Sequence, residues 1–150
     1  MKNLCSTPYA YTEIGSIAQR LYELKNRCKI YAFNGDLGSG KTSLIRELLL
    51  RFGVKNFTGS PTFSYMTIYI NAVGETLIHF DLYRLHSFEE FHSLGFADYI
   101  DQATDPKGKT WIFVEWPDII RPQLIAKTCW SELSHQNDIN TRLITIQCSD

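Results

Sequence analysis

The 150-residue chain predicts one α/β domain, with a mixed, mainly parallel sheet flanked by helices. Three observations predict it. The first is Gly35-Asp36-Leu37-Gly38-Ser39-Gly40-Lys41-Thr42, of the form GxxxxGK[ST]. It sits between an apolar β-type run, Ile30 to Phe33, and a helical pattern that begins at Thr42. The second is the alternation of helical and strand periodicities along the rest of the chain. The third is a fully apolar run, Trp111 to Val114, that ends at Glu115, as in a strand covered on both faces. Strand, glycine-rich loop and helix in that order form the phosphate-binding core of a P-loop NTPase. The length suits one such domain over residues 1–150.

Each element follows from its local pattern. Ile14, Ile17, Ala18, Leu21 and Leu24 step by three and four, which predicts an amphipathic helix with Thr12 as its N-cap. Lys29 to Asn34 reads as a short buried strand feeding the glycine loop. Leu44, Ile45, Leu48, Leu49 and Phe52 return to helical spacing, and Gly53 is placed to end that helix. Thr58 to Thr62 is turn-rich, with Pro61 blocking helix. Phe63 to Ile70 and Thr76 to Phe80 flank a glycine-containing loop, which predicts a β-hairpin. Ser87 with Glu90 three residues later makes a capping-box pattern for a helix to about Leu94, broken at Gly95 and resuming through Tyr99. Thr104 to Lys109 is a surface turn, and Trp111 to Val114 a strand. The tail reads as polar until a last strand over Arg142 to Gln147.

Composition narrows the class. Hydrophobic residues make up 44% and charged residues 21%, which suits a globular protein rather than a disordered one. A net charge of -1 argues against a bulk electrostatic footprint for nucleic acid. The start of the chain has no apolar signal core and no run approaches a membrane span, so the expected setting is the cytoplasm. Cys5, Cys28, Cys129 and Cys148 are scattered without a CxxC pair, and reduced thiols are expected there.

The chemistry centres on the glycine loop. Its glycines let backbone N–H groups converge on phosphates, and the following helix adds free N–H groups and a positive dipole end. Asp36, Leu37, Gly38, Ser39, Gly40, Lys41, Thr42 and Ser43 are the expected nucleotide-binding set. Lys41 would bridge the β- and γ-phosphates, and Thr42 would offer its hydroxyl to Mg²⁺. Glu115, at the end of a buried strand that Trp116-Pro117 interrupt, fits the second metal carboxylate. Asp81 follows another apolar strand, where alternation sets His79 and Asp81 on one face and Phe80 on the other. It could orient a water or complete the outer metal shell, or pair structurally with Arg84. Ser60-Pro61-Thr62 stands where P-loop enzymes often carry a switch segment, with Thr62 as the residue offering a hydroxyl, although the residues alone favour a plain proline turn. The histidines show no zinc spacing.

Taken together, GDLGSGKT at 35–42, SPTF at 60–63, HFDLYRL at 79–85 and EWP at 115–117 resemble the TsaE family, in order and spacing. Glu89-Glu90 and Leu94-Gly95 add to the likeness, which covers about residues 10 to 117, with Arg142 as a weak echo beyond. The resemblance implies a P-loop ATPase using ATP and Mg²⁺, weakly active alone. Such a protein acts with TsaB and TsaD in forming threonylcarbamoyladenosine in tRNA, and so meets tRNA only through that complex. It implies metal roles for Thr42 and Glu115, an essential carboxylate at Asp81, and catalytic weight on Lys41. It also implies a switch or partner role for Ser60, Pro61, Thr62 and Trp116. Ser39 stands where the family usually has alanine. A small nucleotide kinase would want an arginine-rich lid, and the seven arginines are dispersed. A GTP switch would want Asn-Lys-x-Asp, which is absent. A nucleotide-sensing module without useful turnover is the remaining alternative.

Overall fold

In the computed structural model, which describes residues 2–125 and 127–149, seven strands form one sheet in the order β1-β7-β6-β2-β5-β4-β3. The strands are β1 (Lys2–Ala10), β2 (Ile30–Asn34), β3 (Met66–Ile70), β4 (Thr76–Asp81), β5 (Thr110–Glu115), β6 (Thr128–His135) and β7 (Thr141–Cys148). The helices are α1 (Ile14–Glu23), α2 (Lys41–Arg51), α3 (Phe88–Ser93) and α4 (Ala97–Thr104). At the centre β6, β2, β5 and β4 run parallel. The flanking pairs β1–β7, β7–β6 and β3–β4 are antiparallel, which makes the sheet mixed.

Strand periodicity builds two cores. On one face Tyr31, Phe33, Phe113 and Leu77 pack under α1 and α2, with Ile17, Leu21, Leu44 and Leu48 contributed by the helices. On the other face Ile30, Ala32, Phe80 and Val114 pack against Phe91 of α3, Ile100 of α4 and Ile120. Burial on both faces explains the uninterrupted apolar runs of β2 and β5.

Several expectations need correction. Two strands, β1 and β6, were not legible as such. β1 carries Pro8 and lies at the sheet edge, where a missing N–H is tolerated. β6 lies in the segment read as polar tail. The hairpin's first strand begins at Met66 rather than Phe63, because residues 62–64 form a turn. Thr12 is not a cap: a 3₁₀ turn over Tyr11–Glu13 precedes α1, and the Ala10 N–H donates to the Glu13 carboxylate at 2.7 Å. Ser87 does cap α3, its Oγ accepting from the Glu90 N–H at 3.0 Å, while Glu90 reaches back to the N–H of His86. α4 runs on to Thr104, past Tyr99. The side chain of Cys5 lies outside the described residues; Cys28, Cys129 and Cys148 stand as buried thiols.

Candidate nucleotide site

The parallel strands end together, and their C-terminal edge gathers the groups that sequence reasoning singled out. The glycine loop leaves β2 and turns into α2, whose N-cap is Gly40. Gly35, Gly38 and Gly40 have φ of 144°, 75° and 101°, a region that favours glycine. Gly35 has a second constraint: a Cβ there would collide with the carbonyl oxygen of Leu133 on β6. Ser39 is fully buried with its Oγ unpartnered, so a methyl group would serve equally well at that position.

Lys41 is 4% exposed and donates from Nζ to the carbonyls of Gly35 at 2.6 Å and Asp36 at 2.9 Å. Its ammonium also lies 3.9 Å from the centroid of the Trp116 ring. Burial holds its pKa below the ordinary lysine range, opposed by the negative charges of Glu115, Asp81 and Asp36.

The strand register brings the two carboxylates together, since Asp81 and Glu115 are direct partners across β4 and β5. Glu115 is buried, and Thr42 Oγ1 donates to it at 2.9 and 3.0 Å. The Nε2–H of His79 donates to its Oε1 at 2.9 Å. His79 is fully buried and stacks on Phe57, with ring centroids 6.0 Å apart. Its contact with Glu115 was not anticipated, because only the register of β4 against β5 reveals it.

Asp81 is held from the turn before β3. Ser60 Oγ and Thr62 Oγ1 both donate to its Oδ2, the latter at 2.9 Å, and the Tyr83 N–H donates to Oδ1 at 3.1 Å. Arg84 does not take part in this arrangement. Its guanidinium lies 4.3 Å from the centroid of the exposed Phe63 ring, so the structural Asp81–Arg84 pair is replaced by hydroxyl contacts. Pro61 is buried and gives the turn its fixed φ. Trp116, directly after β5, adopts φ 58° and ψ 55°, and its ring meets Tyr83 at 4.9 Å. A left-handed tryptophan is strained backbone of the kind retained at functional sites.

These groups line one cleft of about 300 Å³ that includes Lys41, Thr42, Ser60, Asp81, Glu115 and Trp116. Leu37 and Ser43 border it, while Asp36 contributes its carbonyl to Lys41. A second cavity of about 260 Å³ adjoins it, sharing Gly38, Gly40 and Ser43. Its other walls include Tyr9, Tyr11, Asn140 and Arg142. None of these residues carries a local motif, and they meet only because β1 pairs with β7. Among the described residues no helix is long and apolar enough to cross a membrane.

The cleft's donor set suits a hard divalent cation. Thr42 and Glu115 bring a hydroxyl and a carboxylate to the same point, and oxygen ligands of this type are what Mg²⁺ takes.

Comparison with known proteins bears on the family and the fold. A family model described as threonylcarbamoyl adenosine biosynthesis protein TsaE matches residues 10–144. The tRNA threonylcarbamoyladenosine biosynthesis protein TsaE of Treponema pallidum is 30% identical over 132 residues, 88% of this chain and 89% of that protein. Its namesake from Borreliella burgdorferi is 37% identical over 91 residues, 61% of each chain. That from Rickettsia conorii is 36% identical over 110 residues, 73% of this chain and 58% of that protein. The chain thus spans about three fifths of the length of the latter two relatives. The crystal structure of Bacillus subtilis YdiB superposes with a TM-score of 0.70 at 20% identity, over 100% of this chain and 89% of that one, a likeness of fold. The match over residues 10–144 shows that this chain belongs to the TsaE family.

Proposed function

We propose that residues 1–150 act as one P-loop ATPase domain that binds ATP with Mg²⁺. Its hydrolysis would support formation of N6-threonylcarbamoyladenosine in tRNA, in company with the TsaB–TsaD pair. The observation that carries this reading is the meeting of Lys41, Thr42, Asp81 and Glu115 in one cleft at the C-terminal edge of the parallel strands. Mg²⁺, held through Thr42 and Glu115, would supply charge neutralisation at the β- and γ-phosphates.

The residues' own work follows from their present contacts. The loop N–H groups and the N-terminus of α2 receive the phosphates. Lys41 would exchange its bonds to the Gly35 and Asp36 carbonyls for phosphate oxygens, a charge-assisted contact in a buried setting. Asp81 is already hydrogen-bonded to Ser60 and Thr62, so the turn at 60–62 can respond to what occupies the cleft. The adjoining cavity offers Tyr9 and Tyr11 as apolar faces for an adenine ring. Trp116 flanks Lys41 at the mouth and marks the side on which partner proteins would approach. Cytoplasmic residence follows from such partners and from tRNA as the final target.

The direct test is ATP binding and hydrolysis by four variants. Lys41→Ala should abolish tight ATP binding, and Thr42→Ala and Glu115→Ala should chiefly impair Mg²⁺-dependent turnover. Asp81→Ala should bind ATP and lose hydrolysis. Full activity of Asp81→Ala would make that carboxylate structural, and stoichiometric diphosphate formation from added nucleoside monophosphates would turn the reading toward a kinase.

A further inference from the structure

At the end of the central strands opposite the glycine loop, three thiols that the ATPase reading does not use come together. Cys28 lies between α1 and β2, Cys129 is the second residue of β6 and Cys148 closes β7, and all three are fully buried. Their Sγ atoms all lie within 4.8 Å of one another, and the Cys28 thiol donates to Cys148 Sγ at 3.4 Å. We propose that Cys28, Cys129 and Cys148 form a three-sulfur site for a soft monovalent cation of the Cu(I) class.

Three segments distant in sequence fix the geometry. Cys129 and Cys148 are direct partners on antiparallel strands. Just beyond them the Ser149 N–H donates to the Thr128 carbonyl at 2.9 Å, which makes theirs a non-hydrogen-bonded pair, the closer of the two kinds. Cys28 is tethered by its N–H to the Leu24 carbonyl at 2.7 Å. Metal–sulfur bonds of about 2.3 Å in a trigonal plane would set the sulfurs about 4 Å apart. The cluster already has that spread, so an ion needs only small side-chain rotations.

The donor set selects the ion. Three sulfurs and no oxygen or nitrogen suit a soft cation. Among the described residues no histidine, aspartate, glutamate or further cysteine joins the group, whereas structural Zn²⁺ takes four ligands. The nearby Tyr31 hydroxyl is committed to the Leu21 carbonyl. Charge points the same way. The Cys28 thiol donates its proton to Cys148 Sγ, so a proton lies between two of the three sulfurs. One thiol then exchanges its proton for the ion, RSH + Cu⁺ → RS–Cu + H⁺, and the other two sulfurs donate lone pairs. The core's net charge is unchanged and no electron is transferred. A divalent ion would have to displace two protons from the buried group to leave it neutral, one more than a monovalent ion displaces. Cys28 lies in the connection between α1 and β2 and Cys148 at the end of β7, where local opening admits an ion without unfolding the sheet.

The test uses the full chain, anaerobic and reduced, competing for Cu(I) against the chromophoric chelator bicinchoninate. The expected result is one equivalent taken up, a thiolate-to-copper absorption in the near ultraviolet and a raised thermal midpoint. Cys129→Ser should weaken uptake at least tenfold. If Cys129→Ser does not fold, copper-edge absorption on the wild type decides, with three sulfur neighbours expected. No uptake by the wild type, uptake unaffected in a folded Cys129→Ser, a copper shell of nitrogen or oxygen, or equal affinity for Zn(II) would each overturn the proposal.

Discussion

Replacing Thr62 by valine removes one hydroxyl and almost nothing else, so it isolates the contact between the turn at 60–62 and Asp81. Thr62 Oγ1 donates to Asp81 Oδ2 at 2.9 Å, and the carboxylate is 4% exposed, so water cannot substitute freely. A hydrogen bond to a charged group contributes about 1.5–3 kcal/mol. Ser60 and the Tyr83 N–H still hold Asp81 in the variant, which places the expected loss near the middle, about 2 kcal/mol. For a domain of this size that corresponds to a midpoint lowered by roughly 4–8 °C. A double-mutant cycle of Thr62→Val with Asp81→Asn, read by urea unfolding, should return a coupling above about 1 kcal/mol. The parallel cycle of Arg84→Ala with Asp81→Asn should return about 0 kcal/mol, because Arg84 stacks on Phe63 instead. Coupling confined to the Arg84 cycle would refute the hydroxyl account of Asp81.

Three other perturbations follow from the same contacts. Gly35→Ala should cost about 3 kcal/mol or more, from positive φ and collision with the Leu133 carbonyl, and weaken ATP binding; unchanged unfolding and binding would show that the loop moves freely away from β6. His79→Leu should leave Mg²⁺-free ATP binding intact while raising the Mg²⁺ concentration for half-maximal turnover several-fold, since Glu115 loses its buried donor; an unshifted Mg²⁺ dependence would make His79 a packing residue only. Burial raises the Tyr31 phenol far above the usual value of about 10, so the folded state resists its ionisation while the unfolded chain does not. Its contribution is fully present below pH 10 and declines above, by about 1.4 kcal/mol per pH unit. Urea unfolding between pH 9 and 11 should therefore show a smaller alkaline loss in Tyr31→Phe, and parallel curves would contradict this.

What the sequence revealed, and what it hid, divides along the range of the interactions. The glycine loop, β2, α2, β5 and the hairpin announce themselves through motif and period, because each pattern is written in consecutive residues whatever covers it. Glu115 and Asp81 were legible for the same reason, as carboxylates closing apolar runs. β6 was hidden because its serines, glutamate and histidine look like tail until β2 and β7 flank it. The hydrogen bond from His79 to Glu115 depends on the register of β4 with β5, and the second cavity on β1 pairing with β7. The thiol cluster joins positions 28, 129 and 148, which no local pattern connects. Thr12 failed as a cap because it lies inside the 3₁₀ turn Tyr11–Glu13, which moves the N-cap of α1 to Glu13.

The central claim is that the cleft around Lys41 turns over ATP on behalf of threonylcarbamoyladenosine formation. Reconstituted modification of tRNA by TsaB and TsaD, with threonylcarbamoyl-AMP supplied and followed over many turnovers, tests it most directly. With this chain present the product should continue to accumulate, and with the chain omitted or carrying Lys41→Ala it should stall early. Equal accumulation in all three mixtures would contradict the account.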